Sequence, residues 1–230
     1  MNTIIAKRLC QAALCLLATS AMAASLADLS NVDATGGLKA ALEKGAIAAV
    51  AKLGAENGFL NNEEVKIRLP RVLEKAQPLL KMTGQGQRLD ELVVAMNHAA
   101  EQAVPMAKPL LLNAVRSLSV SDAKNILAGG DTSVTDFFRE KTAESLSVKF
   151  LPIVKKITDR SDLSAKYNGA MGQVGKFGGG GREQATVEDY VTQRAVDGLF
   201  KMIAEEERDI RRDPLGSGSK LISKVFGSLR

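Results

Sequence analysis

From Thr35 onward, apolar residues recur at three- and four-residue spacing, the period of a helix with one buried face. Leu38, Ala41, Leu42, Ala46, Ala49, Val50 and Leu53 form the first such stripe, predicting a helix from Gly36 to about Gly54 capped by Thr35, with Ser25 to Gly37 as a loose arm ahead of it. Val65, Ile67 and Leu69 then alternate with Lys66 and Arg68, a strand-like pattern, but one isolated extended piece does not make a sheet. Pro70 suits the first turn of a helix carrying Val72, Leu73, Ala76, Leu79 and Leu80, with a kink or break expected near Gln77 because Pro78 follows. Leu89, Leu92, Val93, Met96, Ala100 and Ala103 define a strong amphipathic helix that ends or bends at Pro105. Pro109 opens another through Leu118.

Between Leu118 and Lys156 two helices meet at a Gly-Gly corner. Ser119 and Asp122 have the spacing of a capping box. Gly129 and Gly130 can take the left-handed conformation that closes a helix. The next helix starts at Thr132 or Ser133, where Ser133 with Asp136 repeats the cap spacing. Val134, Phe137, Phe138, Leu146 and Phe150 form its stripe, which runs up to Pro152, a kink or the start of a new turn. Three of the seven Phe residues lie there, so these rings form the bulkiest part of the core. Residues 161–185 are rich in glycine and predict a mobile loop after Tyr167. Thr186 with Asp189 then caps the longest helix, reaching about Arg212, whose run from Glu205 to Arg212 reads as a solvated face. A short amphipathic helix from Lys220 to Leu229 closes the chain. The fold class is mainly α, an irregular bundle of about seven to nine helices with a long C-terminal helix. Residues 24–160 form a helical core on which 186–230 pack.

Met1 to Ala23 carries the basic, apolar and small-residue regions of a secretory signal, with Lys7 and Arg8, Leu9 to Ala18, and Ala21-Met22-Ala23 in turn. Cleavage after Ala23 and a periplasmic location are expected. Both cysteines, Cys10 and Cys15, would leave with that segment, as would two of the positive charges behind the net +5. The remaining surface is mixed in sign and lacks the basic patch with stacking aromatics that nucleic-acid binders show, so no nucleic-acid partner is expected.

Little chemistry is recognisable from spacing. Gly175-Lys176 is followed by Phe177, and Ala170 stands where a phosphate loop needs glycine, so the glycine segment reads as a linker. His98 is the single histidine, read as a helix-surface residue beside Asn97, and no metal site or cofactor is expected. Glu101 with Asp122 is the carboxylate pair to test first as general acid and base.

GFLNNEEVKIRLP (58–70), AMNHAAEQAVP (95–105), SDAKNILAGGDTSVTDFFREKT (121–142), FLPIV (150–154) and DYVTQRAVDGLFKMIAEEERDIRRDP (189–214) together resemble the bacterial secreted family called domain of unknown function 4197. The resemblance covers nearly all of the chain after the signal. It implies a mainly helical protein exported by Gram-negative bacteria and supplies no activity. Within the matched blocks, polar residues stand in apolar surroundings: Asn97 and Glu101 on one helix, Asp122, and Arg139 with Thr142 on another. If those helices pack together, a buried Glu101–Arg139 pair would set their register. The leading expectation is a non-catalytic periplasmic binding or scaffold protein for an apolar small molecule or a protein partner. Its ligand-binding candidates are Asn97, Glu101, Asp122, Arg139, Thr142, Phe137 and Phe138, with an apolar pocket opening near Phe137, Phe138 and Met96. The alternative is a carboxylate-based hydrolase or other enzyme, in which Glu101, Asp122 and Arg139 converge in a polar cleft. A third reading is a peripheral membrane factor that touches the surface through Lys220, Lys224, Phe226 and Arg230.

Overall fold

The computed structural model describes residues 31–160, 163–176, 186–216 and 219–227, and these form a mainly α bundle. The helices are α1 (Asn31–Gly54), α2 (Arg71–Met82), α3 (Gly86–Ala103), α4 (Ala107–Arg116), α5 (Val120–Ala128), α6 (Ser133–Arg160), α7 (Leu163–Lys176), α8 (Val187–Arg212) and α9 (Lys220–Gly227). A 3-10 turn, Val104–Met106, carries Pro105 between α3 and α4. The signal-like segment and residues 177–185 lie outside the described residues.

The bundle is built on the long antiparallel pair α6 and α8, with α1 laid against α8, α4, α5 and α9, and α3 against α6 and α8. Phe138, Phe150 and Phe200 are fully buried at its centre, with Leu146, Val154, Val191 and Leu199. Each such side chain contributes roughly 1.5–3 kcal/mol by leaving water, which makes this seam the main apolar support of the fold.

Several local expectations change. α1 begins at Asn31, so Thr35 is an interior residue and not a cap, and residues 31–37 are helical where a loose arm was expected. Gly36 and Gly37 are held there by the terminal helix. A Cβ on Gly37 would fall 2.4 Å from Val225 Cγ2 and 2.9 Å from the Leu221 carbonyl. Only glycine lets α9 approach so closely. Gly37→Ala is therefore expected to push α9 away at an overpacking cost of about 1–3 kcal/mol. Amide exchange confined to α9 should accelerate about tenfold or more, and unchanged protection there would show the contact to be unimportant.

α2 runs unbroken through Pro78 and α6 through Pro152, which makes α6 the longest helix among the described residues, at 28 residues against 26 for α8. Pro152 deprives the Val148 carbonyl of its helical partner, but Val148 and Pro152 face solvent, where water can take that bond. The buried stripe of Leu146, Phe150 and Val154 continues past the proline on the opposite face and holds the helix together.

The Ser119–Asp122 capping box forms as expected. Gly129 closes α5 in extended geometry, φ −78°, and not in the left-handed region; its lack of a side chain serves a close approach to Ser133 Cβ. At the start of α6, Thr132 and not Ser133 pairs with Asp136, whereas the Ser133 hydroxyl donates to the Ile126 carbonyl at 2.8 Å. Residues 163–176, assigned to the mobile loop by their glycines, are helical and pack on α2 and α3, and Tyr167 is buried near the start of α8. The Thr186 cap of α8 accepts the Asp189 N–H at 3.1 Å.

Candidate functional site

The polar residues of α3 hold down the irregular chain between α1 and α2. Asn97 is fully buried, and its side-chain amide faces the extended run at Ile67. Oδ1 accepts the Ile67 N–H at 2.8 Å, and Nδ2 donates to the Ile67 carbonyl at 2.9 Å and to the Val93 carbonyl at 2.8 Å. The amide thus supplies the pair of hydrogen bonds a neighbouring strand would have supplied. Tyr190 donates to the Arg68 carbonyl and Lys201 to the Glu64 carbonyl, so α8 secures the other side of the same run. The alternation of Val65, Ile67 and Leu69 is real, with all three buried, but side chains serve it and no sheet forms among the described residues.

One turn on, Glu101 is 5% exposed and collects the turn at 57–60. Oε1 accepts the N–H groups of Phe59 and Leu60, both at 3.1 Å, and Oε2 accepts that of Asn57 at 3.2 Å. Asn57 sits at φ 62°, the left-handed region that asparagine tolerates better than most residues. His98 Nδ1 lies 2.7 Å from Oε2. Since both carboxylate oxygens are already taking N–H donors, the ring nitrogen facing them is the donor, and Nε2 is left on the other edge of the ring. His98 also borders an open groove between α3, α6 and α7, where Val94, Ala95 and Ile157 meet Gln102 and Lys166.

The other candidates are placed elsewhere. Asp122 belongs to the capping box, and hydrogen bonds from the Ser119 hydroxyl and backbone N–H hold its carboxyl below the ordinary carboxylate range. Arg139 is half exposed; its guanidinium lies over the Phe200 ring at 4.7 Å and 3.7 Å from Asp197, so it does not form the buried pair with Glu101. Thr142 is buried and donates to the Phe138 carbonyl at 2.6 Å within its own helix. Glu101, Asp122 and Arg139 therefore share no partner and do not converge. Met96 is fully buried. Phe138 lines a narrow cleft with Ala41, Leu42, Ile203, Glu207 and Phe226.

A second polar centre lies within the run read as a solvated face, at the i,i+4 pair Glu207 and Arg211. Glu207 is buried, and it accepts the N–H groups of Val134 and Thr135 at 3.1 Å each, the otherwise unpaired donors at the start of α6. Arg211, four residues on, donates to Glu207 and also to Ser133 Oγ at 2.8 Å, and lies 5.6 Å from the Phe226 ring of α9. The run from Glu205 to Arg212 is thus not wholly a solvated face. The i,i+4 step from Ile203 places Glu207 on the apolar stripe, which is the signal that marks it.

α9 buries Ile222, Val225 and Phe226 against α1 and Arg211, so the apolar face a membrane contact would use is already covered; Arg230 lies outside the described residues. Among the described residues no helix is long and apolar enough to cross a membrane, and no group of three His, Cys, Asp or Glu side chains is placed to hold a metal ion.

The fold and these two polar centres define a helical protein whose buried carboxylates organise backbone. Over residues 28–227 the chain matches the family described as Protein of unknown function (DUF4197), and it belongs to that family. No curated protein and no solved structure matches it.

Proposed function

We propose that this is a non-catalytic binding or scaffold protein, exported to the periplasm with its N-terminal segment removed after Ala23. The observation that carries the reading is how the carboxylates are spent: those of Glu101 and Glu207 each hold two or more backbone N–H groups, and Asp122 holds a helix start. A carboxylate with its oxygens occupied in this way organises structure, and the open surface left beside it is the groove along α3. The signal-like segment supports export, since a basic, apolar and small-residue sequence of this length is the form such segments take.

Native mass spectrometry on protein purified from the periplasm tests both parts. The expected result is a chain starting at Ala24 with a reproducible small molecule or partner bound. A chain retaining residues 1–23 would overturn export, and a protein that stays empty and crosslinks to nothing would overturn the binding reading.

A further inference from the structure

We propose that the groove between α3, α6 and α7 binds a primary ammonium carrying an apolar chain, its head on Asp90 and Gln87 and its chain along Val94, Ala95 and Ile157. This rests on the binding reading above and names its ligand class. Two rows of α3 side chains line the groove at four-residue spacing, Asp90, Val94, His98 and Gln102 in one and Gln87, Glu91 and Ala95 in the other. Ile157 of α6 and Lys166 of α7 form the facing wall. Acceptors therefore stand at the end nearer the start of α3, and an apolar floor follows them.

Charge and hydrogen-bonding capacity select the head. Glu91 is already engaged: Lys166 Nζ lies 3.2 Å from Oε2, and Gln87 Nε2 donates to Oε1 at 3.2 Å. That leaves the Gln87 amide oxygen as an acceptor, three residues before Asp90 on the same side of the helix. Asp90 is exposed, and no hydrogen bond or ion pair engages its carboxylate among the described residues. A primary ammonium brings three N–H donors and no acceptor, which matches that pair, whereas a carboxylate head would meet Asp90 and Glu91 with Lys166 already paired. Glu101 adds a third carboxylate behind the groove, held by backbone N–H groups and His98 and by no lysine or arginine among the described residues. The preference draws on no imidazolium: a neutral ring that gives its Nδ1–H to Glu101 keeps only an acceptor at Nε2. Arg88 borders the neighbouring hollow towards α2, where it donates to Gln85 at 3.2 Å. From Asp90 to His98 the floor runs about 12 Å at 1.5 Å per residue, the reach of an extended alkyl chain of about ten carbons.

Decylammonium, kept below its micelle-forming concentration, is titrated into the full-length mature protein at fixed pH and low ionic strength, where exposed charges are least screened. The α3 backbone amides and the ring of the single histidine report binding by NMR. The expected result is a saturable shift centred on Asp90 to His98, at least tenfold weaker with decanoate, whose head is repelled, and at least tenfold weaker with ethylammonium, which lacks the chain. Asp90→Lys, at an exposed position, should weaken decylammonium at least fivefold with an unchanged melting curve. Lys166→Gln acts in the opposite sense, because it removes the ammonium on the wall and frees Glu91, and should tighten binding about threefold. No saturable shift, equal binding of decanoate or of ethylammonium, wild-type affinity in Asp90→Lys, or weaker binding in Lys166→Gln would each overturn the proposal. If mass spectrometry finds a bound ligand of another class while decylammonium moves no α3 signal, this inference falls and the binding reading stands.

Discussion

Glu101→Ala is expected to cost about 3–5 kcal/mol of folding stability, because it removes the shared acceptor of three backbone donors at once. Each buried N–H left without a partner costs roughly 1–3 kcal/mol. Phe59 N–H is the buried one of the three, and those of Asn57 and Leu60 are partly buried, where water can recover some of the loss. The turn also carries Asn57 in left-handed geometry, which persists only while its N–H is held. Phe59 itself is fully buried, so the turn cannot open without exposing a core ring. Asp122→Ala is the matched control. It removes half of a solvent-facing capping box and should cost far less than the loss of Glu101. Urea denaturation of both variants settles the comparison: equal losses would mean that Glu101 does not anchor the turn.

How much of this could be read in advance depends on which forces act locally. Helical periodicity and caps are local, so the stripes from Leu38 to Leu53 and from Val187 to Ile210, the Ser119 box and the Thr186 cap all appear in the sequence. The prolines were misleading for a tertiary reason. Pro78 and Pro152 remove one hydrogen bond each, and burial of the stripes on either side outweighs that loss. Glycines in 163–176 lower helix propensity in the same way, and docking on α2 and α3 overrides them. Asn97 and Glu101 stand out in the sequence as polar residues within an apolar helix, but their partners lie 30 to 44 residues away. Nothing in local spacing names those partners. The expected Glu101–Arg139 pair failed for this reason: the carboxylate found backbone donors first, and Arg139 found the face of Phe200.

Glu207 tests the same logic at the second centre, and its removal is the other large loss expected. Glu207→Ala leaves the Val134 and Thr135 N–H groups and the Thr135 hydroxyl without their acceptor, and it leaves Arg211 facing Ser133 and the Phe226 ring without its counter-charge. Breaking a buried pair by deleting one member typically costs about 3–5 kcal/mol, and that range is expected here by urea denaturation. The pH dependence carries an independent sign. Burial pushes the Glu207 carboxyl above its ordinary value, while hydrogen bonds from Val134, Arg211 and Thr135 pull it down without cancelling the effect. Between the unfolded value and the raised folded one, the folded protein binds more protons than the unfolded chain, so this group's contribution to stability falls as pH rises through that window. Asp122 runs the opposite way, its lowered carboxyl contributing stability above the unfolded value that is lost as pH falls. The wild-type minus Glu207→Gln difference in stability, followed upward from pH 4, should therefore decline. A difference that grows with pH would mean the hydrogen bonds at the start of α6 outweigh burial, and the charged carboxylate would then be the preferred form.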